Sequence, residues 1–328
     1  MLGKLFGRGG ERPAEEPYAL PATRRRKNET YTLRALGDRR VLALVEAAGA
    51  GDWEGVKAAA GPFDLGRDHQ VLGELAEVDG VEKWIGRAVE EDTEHRVLAL
   101  LISGTRHVSW GWEARTSARA VDVTQEQWRV FGERLALAEE QLLAAAELRP
   151  EWVTPWRRLL TSGRGLSLGQ DVNQVRFDAA LRREPLDPEV HIDQLSQLQP
   201  RWGGEPGQAL AFARDAFARA PQGHRLGCVI AMAHIEEWVE SEDEDCLKSA
   251  GTQAELRQAA DHSILHPAYV RRPGWQHDFN MFAMALSLAD EQHTVRRVFR
   301  ALDGAYTSWP WTYLADPEEQ FARRHRRA

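Results

Sequence analysis

Three short stretches of the 328-residue chain mix aromatic, cationic and imidazole side chains densely enough to do chemistry. They are "RHVSWGW" (106–112), "RWGG" (201–204) with Arg214 further along the following helix, and "AHIEEW" (233–238). The candidate binding residues are His107, Trp110, Arg201, Trp202, Arg214, His234 and Trp238. An indole offers a stacking face, a guanidinium forks onto a carboxylate, and an imidazole exchanges protons near neutral pH. If a superhelix brought the three stretches together, they would line one pocket. In "PRWGGEPGQALAFAR", two glycines precede a helix start and could turn backbone N–H groups toward an anion. The Lys-Ser/Thr ending of a nucleotide phosphate loop is missing. The simpler reading is a tight turn that buries Trp202 between helices. Arg214 would then reach a buried carboxylate.

Other constellations point to less. "DHSILHP" sets His262 and His266 four apart on one helical face, a workable metal pair, but Ser263 interrupts any HExxH pattern and Pro267 ends the helix. "EEWVESEDEDC" holds seven acids between Glu236 and Asp245 without calcium-loop spacing. It reads as a solvated loop or a landing site for a basic partner. Gly49, Gly51 and Gly55 follow helical text, whereas a dinucleotide fingerprint follows a strand. "SWGWEAR" and "SWPWTYL" place tryptophans two apart, so one of each pair can pack while the other faces a groove, with Arg106 or Arg115 nearby. No G-x-S-x-G or S-x-x-K motif is present, and neither Cys228 nor Cys246 has a catalytic context. No catalytic residue, metal ligand or cofactor is expected.

The elements that would hold these residues are helices. "DRRVLALVEAAGAGDWEGVKAAAG" gives one helix, a glycine turn, and Asp52 capping a second. Further helices are expected around 67–78, 81–90 and 92–102. Thr124 with Gln127 forms a capping box, and Phe131, Leu135, Ala138, Leu142 and Ala145 make one apolar stripe. Phe279, Phe282, Ala283 and Leu286 share another face, as do Val295, Val298, Phe299 and Leu302. No segment alternates as several strands would. "LRPE" (148–151) and "LDPE" (186–189) lie 38 apart, and Pro185 and Pro221 lie 36 apart. Ala144, Ala180, Ala213 and Ala216 sit where helices must approach closely. The fold class expected is all-α: degenerate antiparallel helix pairs stacked as an α-solenoid.

These Ala-rich pairs, each closed by a proline, resemble tetratricopeptide-type repeats without the full W-x2-L-G-x2-Y signature. With "RHVSWGWEARTS", "LQPRWGGEPGQALAFAR" and "TSWPWTYLADPEEQFARR", the chain resembles a little-characterised bacterial family of tetratricopeptide-like helical-repeat proteins over about 36–322. That resemblance implies the fold and carries no activity with it.

Charge limits the partners. Residues 1–40 hold ten Lys/Arg against five Asp/Glu, and "RRHRR" adds four arginines at the other end. With a net charge of -8, the body between them carries about -17. Such a body disfavours nucleic acid and suits a basic protein or peptide. Three regions are expected: a mobile basic, Pro-rich tail (1–30), a helical-repeat domain (31–322, divisible near 120), and a basic tail (323–328). The apolar start "MLGKLF" is short for a signal peptide, and no run reaches a membrane span. A cytoplasmic protein follows, with no integral membrane contact. Its expected role is a non-catalytic interaction or adaptor module. The alternative is a small-ligand sensor or an enzyme built on the Trp/Arg/His pocket.

Overall fold

The computed structural model describes residues 29–116, 120–241 and 243–328, and these are almost entirely helical. The first helices are α1 (Arg39–Gly49), α2 (Trp53–Ala60), α3 (His69–Ala76), α4 (Val81–Glu91), α5 (Arg96–Arg115) and α6 (Gln125–Leu148). The middle of the chain forms α7 (Thr154–Gly165), α8 (Gln170–Leu181), α9 (Pro188–Gln197), α10 (Gln208–Ala218) and α11 (Cys228–Glu240). The last part forms α12 (Ala250–His262), α13 (Trp275–Leu288), α14 (Gln292–Leu302), the short α15 (Ser308–Trp311) and α16 (Pro317–Arg327).

Side-chain caps set six of the sixteen helix starts among the described residues. Asp38 accepts from Arg40 N, Asp52 from Gly55 N, Asp187 from Val190 N, Ser249 from Thr252 N and Glu291 from Thr294 N. Thr124 and Gln127 make the reciprocal capping box. Pro188 and Pro317 occupy first-turn positions, where the missing N–H costs nothing.

The odd-numbered helices α1, α3, α5, α7, α9, α11 and α13 touch in series and form one row. Each of α6, α8, α10 and α12 packs on the odd helices before and after it. The row turns back on itself. Strand β1 (Tyr31–Thr32) pairs in parallel with β2 (Ala305–Tyr306), and Tyr31 N donates to Gly304 O at 3.0 Å. Sequence periodicity gives no hint of this two-residue pairing, because such strands are too short to alternate.

The expected apolar stripes are buried, from Phe131 to Ala145 on α6 and from Val295 to Leu302 on α14. Ala180, Ala213 and Ala216 are fully buried, but on α6 the close-approach residue is Ala145 rather than Ala144. Two large cores hold the chain, one spanning Ala35 to Leu159 and one spanning Leu195 to Phe321. A small cluster of Val153, Leu160, Phe177, Ala180 and Val190 bridges them. The cluster that joins the two cores lies between 153 and 190, and α5 and α6, on either side of 120, pack along their lengths.

The proposed N-terminal tail, apart from residues 29 and 30, lies outside the described residues. The basic C-terminal residues continue α16 to Arg327, and His325 stacks on Phe299 at 5.5 Å. They are the last turns of a packed helix rather than a separate tail. No described helix is long and apolar enough to cross a membrane.

Candidate functional site

The seven residues singled out from sequence do not surround one cavity. "RHVSWGW" lies in the second half of α5, not in a loop. His107 is buried there against Trp110, ring centroids 5.8 Å apart, and Arg134 lies over the same indole at 3.8 Å. Arg106 is also buried, spent on Glu82, Glu113 and the Ala76 carbonyl. Arg201 pairs with Glu236 and Glu240. Trp202 meets Trp112 edge-on at 5.9 Å, with Arg164 near both indoles. Arg214 and His234 both bind Glu255, and His234 also meets Glu237. Trp238 lines a small cavity of about 330 Å³ with Tyr313, Val239 and Glu244. Thus "RWGG" joins "AHIEEW" through the Arg201–Glu236 ion pair, and "RHVSWGW" meets "RWGG" through the Trp112–Trp202 contact.

The "WGG" turn is structural. Gly203 adopts a left-handed conformation (φ +90°), and a Cβ on Gly204 would fall 2.0 Å from the Leu198 carbonyl oxygen. Both glycine N–H groups donate inside the turn, to Pro200 O and Gln199 O. His262 bonds the Ala220 carbonyl, and His266 accepts from Ala268 N.

His107 carries a pH prediction. Burial, then the Arg134 and Arg106 charges, push its pKa down to about 4. Unfolded, it titrates near 6.5. Above that value both states are neutral and the residue has no pH effect. As pH falls from 6.5 to 4, the unfolded chain gains the proton first, so stability declines, by roughly 2–3 kcal/mol at most. Urea unfolding at pH 7 and pH 4.5 should show a smaller difference in His107→Phe than in the native chain. An equal difference would assign the acid sensitivity elsewhere.

The main cavity, about 710 Å³, lies elsewhere. Four segments that each lead into a row helix build it: 62–71 before and into α3, 184–189 before α9, 221–225 before α11, and 268–273 before α13. The first is pinned beneath α7, whose Val153 and Thr154 N–H groups both donate to Gly66 O. The Thr154 hydroxyl donates to Leu65 O at 2.9 Å. A Cβ on Gly66 would fall 2.3 Å from the Trp152 ring, so only glycine fits at this crossing.

Charged pairs knit the wall. His69 Nε2 lies 2.6 Å from Asp187 Oδ2, and both side chains are buried. Burial raises the Asp187 pKa, but the His69 charge and hydrogen bond, the Val190 N–H and Arg157 outweigh it and hold it at about 2. Arg225 forks onto Asp278 at 2.7 and 2.9 Å and also reaches Glu189 at 2.6 Å. Tyr269 donates its hydroxyl to Asp278 at 2.7 Å. Burial opposes ionisation of Glu189, yet Arg225 carries it below its ordinary value. Gln70 donates to Glu189 at 3.3 Å, and Arg67 meets Glu184 at 3.4 Å.

None of these wall residues was among the sequence candidates. "LDPE" was visible only as a repeat marker, although it carries Asp187 and Glu189. The available signal was a recurrence: "GRDH", "EPLDPE", "PQGHR" and "YVRRPGW" each set charge beside Pro or Gly just ahead of a helix. No Ser, Thr, Cys, Lys or Tyr lines the cavity among the described residues; its ionisable side chains are those of Arg, His, Asp and Glu. No family model, curated protein or solved structure matches this chain.

Proposed function

We propose that this chain is a non-catalytic binding protein, built as a degenerate tetratricopeptide-like α-solenoid, that takes a small polar ligand into the 710 Å³ cavity. The observation that carries the reading is the convergence of four separate helix-leading segments on one space of ligand size. The continuous row of odd helices supports the repeat reading, and the resemblance to helical-repeat proteins agrees with it. A basic protein partner on the acidic surface has less behind it. Within the run from Glu236 to Asp245, Arg201 engages Glu236 and Glu240, His234 engages Glu237, and Lys248 engages Asp245.

Thermal-shift screening against small polar compounds tests this reading, with Val270→Trp as the comparison. Val270 lines the cavity yet is 64% exposed, so a tryptophan can fill the space without disturbing the core. A ligand at about 100 times its Kd should stabilise the native chain by about 2.7 kcal/mol, and the variant much less. Equal stabilisation of both chains would place the ligand outside the cavity and sink the proposal.

A further inference from the structure

The cavity wall is not electrically idle once its internal pairs are subtracted. Asp187 is taken by His69, Glu189 by Arg225 and Gln70, and Glu184 by Arg67. Arg40 is taken by Asp38, and besides the exposed Gln222 amide two donor side chains remain. The Arg272 side chain lines the cavity and makes no ion pair or hydrogen bond among the described residues. His224 accepts the Leu226 N–H on Nδ1 at 3.1 Å, which places its own proton on Nε2. That Nε2–H has no acceptor among the described residues and is not closed off from solvent. Burial, then the charges of Arg225 and Arg272, lowers the His224 pKa, consistent with a neutral imidazole that donates through Nε2. The wall also shows the backbone N–H groups of Gln70 and Val71, which have no acceptor among the described residues. Against these stands Asp68, which makes no ion pair among the described residues although the His69 and Arg272 charges reach it. It accepts from Asp64 N at 3.1 Å, and burial raises its pKa.

Resting on the reading that this cavity is the binding site, we infer that its ligand is anionic, with a carboxylate or phosphate group held by the His224 Nε2–H and the Arg272 guanidinium. A guanidinium matches the two oxygens of either group, and a neutral imidazole donor fixes a third direction. A cationic ligand would find only Asp68 outside an ion pair, because the other three of the four wall carboxylates are already neutralised. An unpaired arginine here stands out in a body whose net charge is strongly negative.

Calorimetric titration of the full chain with phenyl phosphate, benzoate and benzylammonium tests this. The expected result is saturable binding of at least one anion with a Kd of about 1 mM or below, and none of benzylammonium. Arg272→Gln and His224→Leu should each weaken that anion about tenfold, the scale of one charge-assisted hydrogen bond. Preference for phenyl phosphate identifies a phosphate ligand, and preference for benzoate a carboxylate. Circular dichroism and unfolding midpoints of both variants separate lost binding from lost folding. Anion binding that neither folded variant weakens would overturn the inference. So would benzylammonium binding that Val270→Trp abolishes, although the cavity would then still be a ligand site. If no probe binds by about 20 mM, both the inference and the cavity reading fall.

Discussion

Arg225→Met should destabilise the chain by about 3–5 kcal/mol, the range for removing one partner from a buried ion cluster. Arg225 is the only cation within ion-pair distance of Asp278 among the described residues, and Asp278 is 1% exposed. It also neutralises Glu189 from the neighbouring segment. Without it, two carboxylates face each other in a poorly hydrated wall, joined only by Tyr269 and Gln70 as donors. Much of the loss is the penalty of stranding those charges rather than the worth of the bonds. Arg225→Met/Glu189→Gln/Asp278→Asn should therefore recover a large part of it. Urea unfolding followed by circular dichroism gives both numbers. A cost below about 1 kcal/mol for the single change would mean that water reaches these carboxylates freely. Cys228 reports independently on the same spot. It is fully buried, and burial with the nearby Asp278 charge raises its thiol pKa well above the ordinary range. Its thiol should react slowly with a disulfide reagent in the native chain, because only the thiolate attacks; Arg225→Met removes a charge that lowers this pKa, so faster reaction there would report opening of the wall rather than a more acidic thiol.

What was readable in the sequence divides along the range of the interactions. Caps and stripes are local: Asp52 three residues from Gly55, Thr124 three from Gln127, Phe131 to Ala145 at helical spacing. Each is decided within one or two turns, so sequence reading reaches it. The cavity is decided by which loops meet. His69 and Asp187 are 118 residues apart, Gln70 and Glu189 are 119 apart, and nothing in either local text names the other. The aromatic-cationic stretches misled for a related reason. Trp, Arg and His are also the residues that fill large interfaces between packed helices, and internal partners take up their polar ends. Arg106, Arg201 and His234 all end on carboxylates of neighbouring helices. A polar-aromatic cluster in sequence cannot show whether its partners are ligands or the chain itself, because both satisfy the same hydrogen-bonding requirement. The cluster that joins the cores was likewise hidden, since both sides of it are ordinary amphipathic helix.

Asp187→Ala should cost about 3 kcal/mol and loosen two distant segments together. The substitution removes the cap on Val190 N, worth roughly 1 kcal/mol, and leaves the His69 Nε2 without its partner, worth roughly 1–3 kcal/mol more. Asp187→Asn keeps an oxygen for the cap, so its smaller cost measures the His69 contact alone. The native carboxyl titrates at about 2 and the unfolded one near 3.8. The Asp187 carboxylate's contribution is therefore fully present above about pH 4 and is lost as pH falls toward 2, by roughly 2 kcal/mol. In Asp187→Asn that part of the acid slope should vanish. A cycle with His69→Phe tests whether the two side chains act as one unit, with a coupling of about 1 kcal/mol or more expected. Hydrogen exchange gives the sharper reading. If the pair only caps α9, Asp187→Asn will speed exchange near Val190 and leave α3 unchanged. Because it ties α3 to α9 across the cavity, exchange should also rise in the first turns of α3, around Leu72 to Leu75. Protection there that stays at native levels would show that the Gly66 anchor under α7 holds this wall without help from His69.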